Sequence, residues 1–230
     1  GELAGLSAAL GKASAELLFT VKEHYRASPE KPQQVFTSRD AFRIVEGIAM
    51  ARFDSLEDLI AVARLWTHES FRTFGDKLGG SREDGKTLNN LVDSMLISNL
   101  QVSWRPSSDP GRLRFSDLLH RSGGVDDKRY VHQPDSKKLR EALAGHMESY
   151  NEHATLAGAP PLDLALFEDA VDHLCRILRV FGMRRGHLLL VGTGGTGRRS
   201  LCSLAAFLHE AERLEVDPAR VSDFPELLRG

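Results

Sequence analysis

Apolar residues recur every three or four positions through most of the first half of the chain, the spacing of helices that bury one face. Leu3, Leu6, Leu10, Leu17 and Leu18 share one side of an alanine-rich opening segment, which the turn cluster Ser28-Pro29-Glu30-Lys31-Pro32 stops. Thr37 or Ser38 can cap the next helix, whose apolar stripe is predicted to be Phe42, Val45, Ile48 and Ala49. Ser55, with Asp58 three residues on, has the form of a cap for a longer helix. That helix carries Leu56, Leu59, Ile60, Ala63, Trp66, Phe71 and Phe74 and ends near Gly79-Gly80; Trp66 is read as core. Another is expected from Thr87 to Leu100.

From Trp104 to Gly124 the composition shifts toward Pro, Ser, Gly and Arg, a linker with Phe115-Ser116-Asp117-Leu118-Leu119 as a short ordered patch inside it. Beyond it, Asp135 or Ser136 caps a helix to Asn151, and the stretch 157–161 breaks it. Asp163 is expected to open an amphipathic helix with Leu166, Phe167, Ala170, Leu174, Ile177 and Leu178 on one face. Arg176, Arg179, Arg184 and Arg185, toward its carboxyl end, complement the helix dipole and are expected to stay solvated. Leu188 to Val191 is short, continuous and apolar, as a strand covered on both faces of a parallel sheet should be. A helix from Ser200 to Glu210 and a second strand at Leu214-Glu215-Val216 follow. The chain thus reads as predominantly helical within an α/β class. Residues 1–103 form a helical unit, 104–125 a linker, and 126–230 the start of a parallel α/β unit.

Bulk properties narrow the function. A length of 230 residues suits one to two domains. The net charge of −2 argues against non-specific attraction to nucleic acid or to an anionic membrane. Cys175 and Cys202 sit in apolar settings and read as buried small hydrophobes in a reducing compartment; no zinc-ligand spacing occurs. No apolar run approaches the ~20 residues of a membrane span. The chain begins Gly1-Glu2, without a methionine or a basic-then-apolar signal layout.

The chemistry concentrates after the predicted strand at 188–191. A phosphate-binding loop needs converging backbone N–H groups, a helix amino terminus behind them, a cation for the terminal phosphates and a hydroxyl for Mg2+. Gly192, Gly194, Gly195, Thr196, Gly197, Arg198, Arg199, Ser200 and Leu201 are therefore the candidate nucleotide-binding residues, with ATP or ADP as ligand. The pattern G-x-x-x-x-G-K-S/T is not met. Arg198 takes the lysine position, Arg199 the hydroxyl position, and Ser200, the candidate Mg2+ ligand, is displaced by one residue, roughly 100° around the helix. Nucleotide binding that is reduced or less dependent on Mg2+, an empty degenerate loop, and a glycine hinge all remain open. The loop ends at Ser200 of 230 residues, which leaves no room for the acid and water-positioning groups that normally follow. A piece of a larger nucleotide-driven protein is the expectation.

Several stretches resemble the dynein heavy chain, a six-module AAA+ motor, at the junction of its third and fourth modules. These are Glu23-His24-Tyr25 with the run 36–47, after an insertion; the helix 63–78; Tyr150-Asn151; the segments 164–170 and 176–179; and Arg185 through the glycine loop. The likeness spans residues 17–216 and is weakest between 80 and 125. It implies a helical lid closing the third module before residue 125, and the large subdomain of the fourth module after it. Arg39 falls where the family has its sensor-2 arginine, which would face nucleotide held by the preceding module. Arg39 and the glycine loop would then serve different nucleotides.

The GRQS-like form of axonemal members partly shares the departures at Arg198 and Ser200; Arg199 in place of glutamine is this chain's own. Leu164, Leu166 and Phe167 could touch adenine or pack as core. His68, Glu69 and Arg72 read as an amphipathic interface helix with an i,i+3 ion pair, and His173 and His209 are given no role. The resemblance implies an ATP-driven, minus-end-directed microtubule motor of the cytoplasm and cytoskeleton, of the axonemal type. Its partners would be the remaining AAA+ modules, intermediate and light chains, and microtubules. This chain alone, lacking the acidic Walker B strand, is expected not to turn over ATP. The alternative is a non-catalytic helical interaction module with a vestigial phosphate loop; a free-standing P-loop kinase is disfavoured because no second magnesium acid follows the loop.

Overall fold

A computed structural model describes residues 2–52, 56–79, 81–104, 113–120 and 130–215. Four helices make the first layer: α1 (Glu2–His24), α2 (Ser38–Ala49), α3 (Leu59–Thr73) and α4 (Arg82–Leu100). The start of α2 follows the expected cap, whereas α3 is capped by Asp58, three residues past the expected Ser55. Thr37 precedes α2, its N–H donating to Asp40 Oδ2 at 2.7 Å, and Asp58 Oδ1 accepts from Ala61 N at 2.6 Å at the start of α3. Ser55 and Gly80, named with these boundaries, lie outside the described residues. Helix α4 starts earlier than expected because Ser81 supplies its cap.

Helix α3 is the axis of this layer. Val62, Ala63, Leu65, Trp66 and Thr67 through Ser70 are all buried, so nearly its whole circumference is covered. Leu17 and Val21 of α1, Ile44 of α2, Phe74, and Leu88, Val92 and Leu96 of α4 pack with Trp66 in one apolar cluster. Removing such side chains from water contributes roughly 1.5–3 kcal/mol each. Trp66 donates its indole N–H to Ser14 Oγ at 2.9 Å, a buried bond. Ser14→Ala leaves that donor unpaired and is expected to cost about 1–3 kcal/mol, read as a lower urea midpoint with an unchanged m-value.

Helix α2 keeps only part of the expected stripe on the core, where Ile48 packs. Phe42 is 70% and Val45 50% exposed, whereas Asp40, Ile44 and Gly47 are buried. A carboxylate can occupy the inner face because Lys77 Nζ lies 2.7 Å from Asp40 Oδ1. Gly47 faces inward because α3 presses closely there: a Cβ would stand 1.6 Å from Glu69 Oε2.

The second layer holds α5 (Ser136–Leu156), α6 (Glu168–Gly182) and α7 (Arg198–Leu208). Asp135 Oδ1 accepts from Lys137 N and Lys138 N at 2.9 and 3.0 Å, the expected cap of α5. Asp163 does not open α6. Asn151 grips Leu162 reciprocally, its Nδ2 donating to Leu162 O at 2.9 Å and its Oδ1 accepting from Leu162 N at 2.7 Å. No helix forms before Glu168, and Leu162, Leu164 and Leu166 alternate inward with a period of two. Phe167, expected on the buried face, is 60% exposed. Leu139 and Leu143 of α5, Leu174, Ile177 and Leu178 of α6, and Leu201, Leu204 and Leu208 of α7 build the core of this layer with Leu118.

A short antiparallel pair, β1 (Phe115–Ser116) with β2 (Val131–His132), stands between the layers. Leu65, Phe115 and Tyr130 form a third apolar cluster, against which Ile48 and Met50 pack. The patch at 115–119 is thus β1 and the start of a short 3-10 turn, while 105–112 and 121–125 of the linker lie outside the described residues. The strand expected at 188–191 is not formed, and Leu189 and Val191 are each 85% exposed. A strand is a property of a ladder, and the two-stranded β1–β2 pair is the only sheet among the described residues. Leu214 and Glu215 are likewise coil, and Val216 lies outside the described residues.

Candidate functional site

The glycine loop sits at the start of α7. Gly195 has φ 78° and Gly197 φ 76°, left-handed values that glycine adopts without a Cβ penalty. Thr193 O closes the turn by accepting from Thr196 Oγ1 at 3.0 Å and from Arg198 Nη2 at 2.9 Å. Leu201 N donates to Gly197 O at 2.8 Å, the first bond of the helix, so the N–H groups just before it point out of the turn without a helical acceptor. No acidic residue stands in the first turn. Those amides and the positive end of the helix dipole face the side where Gly192, Gly194, Gly195 and Thr196 are exposed. Leu201 is buried and pins the helix start in the core. Residues 192–201 thus run through the turn into the first turn of α7, with Leu201 facing the core.

Arg199, at the usual hydroxyl position, is a 91% exposed side chain whose Nε lies 3.9 Å from Glu215 Oε1. Ser200 is one position further around the helix, and no group of three His, Cys, Asp or Glu side chains is placed to hold a metal among the described residues. Leu164 and Leu166 join the core of the second layer, and a Cβ on Gly197 would stand 3.3 Å from Leu164 Cδ2, so this segment backs the loop. Arg39 is exposed in the first turn of α2, which packs on α1 and α3, whereas α7 packs on α5 and α6.

A second constellation was not legible in the sequence. Arg179 is buried, not solvated, and Glu69 is fully buried beside it. Arg179 Nε donates to Glu69 Oε2 at 2.9 Å and Oε1 at 3.2 Å, Arg179 Nη2 donates to Oε2, and Tyr130 Oη donates to Oε1 at 2.8 Å. The pair bridges α3 and α6, 110 residues apart. The i,i+3 pairing expected of Glu69 with Arg72 is absent here: Arg72 Nη1 bonds Asp76 Oδ1 at 3.1 Å, one turn on. Amphipathic spacing carries no trace of such a contact, because both residues read as ordinary helix-surface charges.

Burial, then the charges of Arg72 and Arg179, drive the buried His68 well below its usual pKa, and burial with Glu69 holds the Tyr130 hydroxyl well above its own. His68 is thus neutral in the fold but titrates near 6.5 when unfolded. The unfolded chain binds the extra proton, so stability falls as pH drops below 6.5 toward the folded-state value, by up to about 1.4 kcal/mol per unit. Thermal midpoints measured across that window should show a slope that His68→Gln flattens. Cys175 is a protonated, buried thiol, pushed up to about 11 by burial.

A helical layer beside a glycine loop that opens a helix is the combination of lid and phosphate loop found in AAA+ proteins. Residues 2–84 match the family described as "Dynein heavy chain, ATPase lid domain", and residues 162–229 that described as "P-loop containing dynein motor region D4". Dynein axonemal heavy chain 1 of Rattus norvegicus is 34% identical over 190 residues, 83% of this chain and 4% of that protein. Dynein axonemal heavy chain 3 of Mus musculus is 30% identical over 207 residues, 85% of this chain and 5% of the relative. The ciliary dynein beta chain of Tripneustes gratilla is 30% identical over 224 residues, 96% of this chain and again 5% of the relative. The chain belongs to the dynein heavy-chain family, of which it carries a lid and the D4 region. It spans about 4–5% of the length of these relatives.

Proposed function

We propose that this chain supplies two successive AAA+ modules of an ATP-driven dynein heavy chain: the lid of one, within residues 1–103, and the phosphate loop of the next, within 126–230, joined through 104–125. The loop from Gly192 to Ser200 holds the phosphates of ATP or ADP on its amides and on Arg198, with little dependence on Mg2+. Arg39 serves the nucleotide of the preceding module. Hydrolysis and minus-end-directed movement along microtubules belong to the whole heavy chain, with its other modules and its intermediate and light chains. The names of the relatives support an axonemal, cytoskeletal setting in the cilium.

The observation that carries this reading is the left-handed pair Gly195 and Gly197 opening α7, whose first-turn amides have no acidic cap. A vestigial loop is the competing reading, favoured by Arg198, whose guanidinium folds back on Thr193 O. Calorimetric titration of the chain with ATP and ADP separates the two. Binding heats that vanish in Gly195→Asp, and that change little when EDTA replaces Mg2+, are the expected outcome; equal heats in both proteins would end the nucleotide reading.

A further inference from the structure

A cavity of about 50 Å3 lies where α3 meets α6, with Arg72 and Arg176 in its wall. Both guanidiniums reach for the same oxygen: Arg72 Nη1 is 3.1 Å and Arg176 Nη1 3.6 Å from Asp76 Oδ1. One carboxylate therefore answers two cations. The Nε of each arginine is fully buried and has no hydrogen-bond partner among the described residues. Buried donors left in that state carry the full cost of their desolvation, so a native fold supplies an acceptor.

The other wall residues supply no partner to either Nε. Asp172 is the one carboxylate lining the cavity, and Arg114 already engages it, with Nε 2.7 Å from Asp172 Oδ1. His68 also lines the cavity and is neutral for the reasons given above. Burial lowers the basicity of Arg72, and although Asp76 opposes this, Arg176 and Arg179 add to it. Three arginines, Arg72, Arg114 and Arg176, line the cavity, and Arg114 is paired by both Asp172 and Glu168. A volume of 50 Å3 admits one or two water-sized particles, at roughly 30 Å3 each. It excludes any nucleotide or sugar acid.

We propose that this cavity is a binding site for a small monovalent inorganic anion, held between the Nε groups of Arg72 and Arg176. A halide accepts from both donors and offsets the second guanidinium, whereas a water accepts both bonds and leaves the charge uncompensated. Arg72 lies in the region matched as lid and Arg176 in the region matched as D4, so the anion bridges the two beside the Glu69–Arg179 pair. The site is separate from the glycine loop and stands or falls independently of nucleotide binding.

The test compares thermal unfolding of the chain in sodium chloride and in sodium gluconate of equal ionic strength. Above the dissociation constant, each tenfold rise in chloride should lift the midpoint by about 3–6 °C relative to gluconate, and Arg176→Gln should abolish the difference. Parallel curves in the two salts would overturn the proposal, and so would a chloride effect that survives Arg176→Gln. Should the variant fail to fold, crystals of the unaltered chain grown with bromide decide. An anomalous peak in contact with both Nε atoms supports the site, and water alone there refutes it.

Discussion

Glu69→Ala is expected to be the most damaging single substitution in the chain, lowering stability by about 3–5 kcal/mol and the thermal midpoint by about 10 °C or more. The reason is the partner left behind. Arg179 is buried and makes its paired hydrogen bonds to Glu69, and Tyr130 Oη donates to the same carboxylate, so removing it strands one charge and one hydroxyl at once. Glu69→Gln keeps the shape but not the charge and should recover little. Replacing both ends, as Glu69→Leu with Arg179→Met, removes the stranded charge and should regain most of the loss, because a buried ion pair is often no more stabilising than apolar residues that fill its space. A Glu69→Ala protein within about 1 kcal/mol of the parent would mean that the bridge between α3 and α6 behaves as an exposed pair.

Gly47→Ala should come next, for a steric reason that leads to the same carboxylate. Its Cβ would lie 1.6 Å from Glu69 Oε2 and 2.2 Å from Glu69 Cδ, so either Glu69 leaves Arg179 or α2 moves off α3. Both routes approach the cost of Glu69→Ala, about 3–5 kcal/mol. Removing Glu69 clears the space, so the double variant Gly47→Ala with Glu69→Ala should be far less destabilised than the two losses added. A coupling of about 2–3 kcal/mol is expected from a double-mutant cycle of unfolding free energies. Additive losses would show that Gly47 is required for some other reason.

These two positions also mark where sequence reading ran out. Local signals were legible: Thr37 and Asp135 stand where caps were expected, and Trp66 is core. The glycine loop was legible too, because a turn with two left-handed residues ahead of a helix leaves its mark in consecutive positions. Contacts between distant segments leave none. The apolar stripe Phe42 and Val45 pointed to the wrong face of α2, since the inner face is shaped by Lys77 meeting Asp40 and by Glu69 needing the room that Gly47 leaves. Asp163 looked like a helix cap, but Asn151 grips Leu162 and the helix begins only at Glu168. Arg179 had the look of a solvated helix charge, and Glu69 of one partner in a local pair with Arg72. The unpaired run at 188–191 is the converse case: its composition is that of a covered strand, and pairing depends on a partner that spacing alone cannot supply.

The account rests on the glycine loop being a nucleotide site of the second core alone, apart from Arg39. Amide hydrogen exchange of the chain with and without ATP tests this most directly. Added protection should be confined to Gly192–Leu201 and its backing at 162–166, be lost in Gly195→Asp, and be unchanged in Arg39→Ala. Protection that extends to the first turn of α2, or that disappears in Arg39→Ala, would contradict it by placing both groups around one nucleotide.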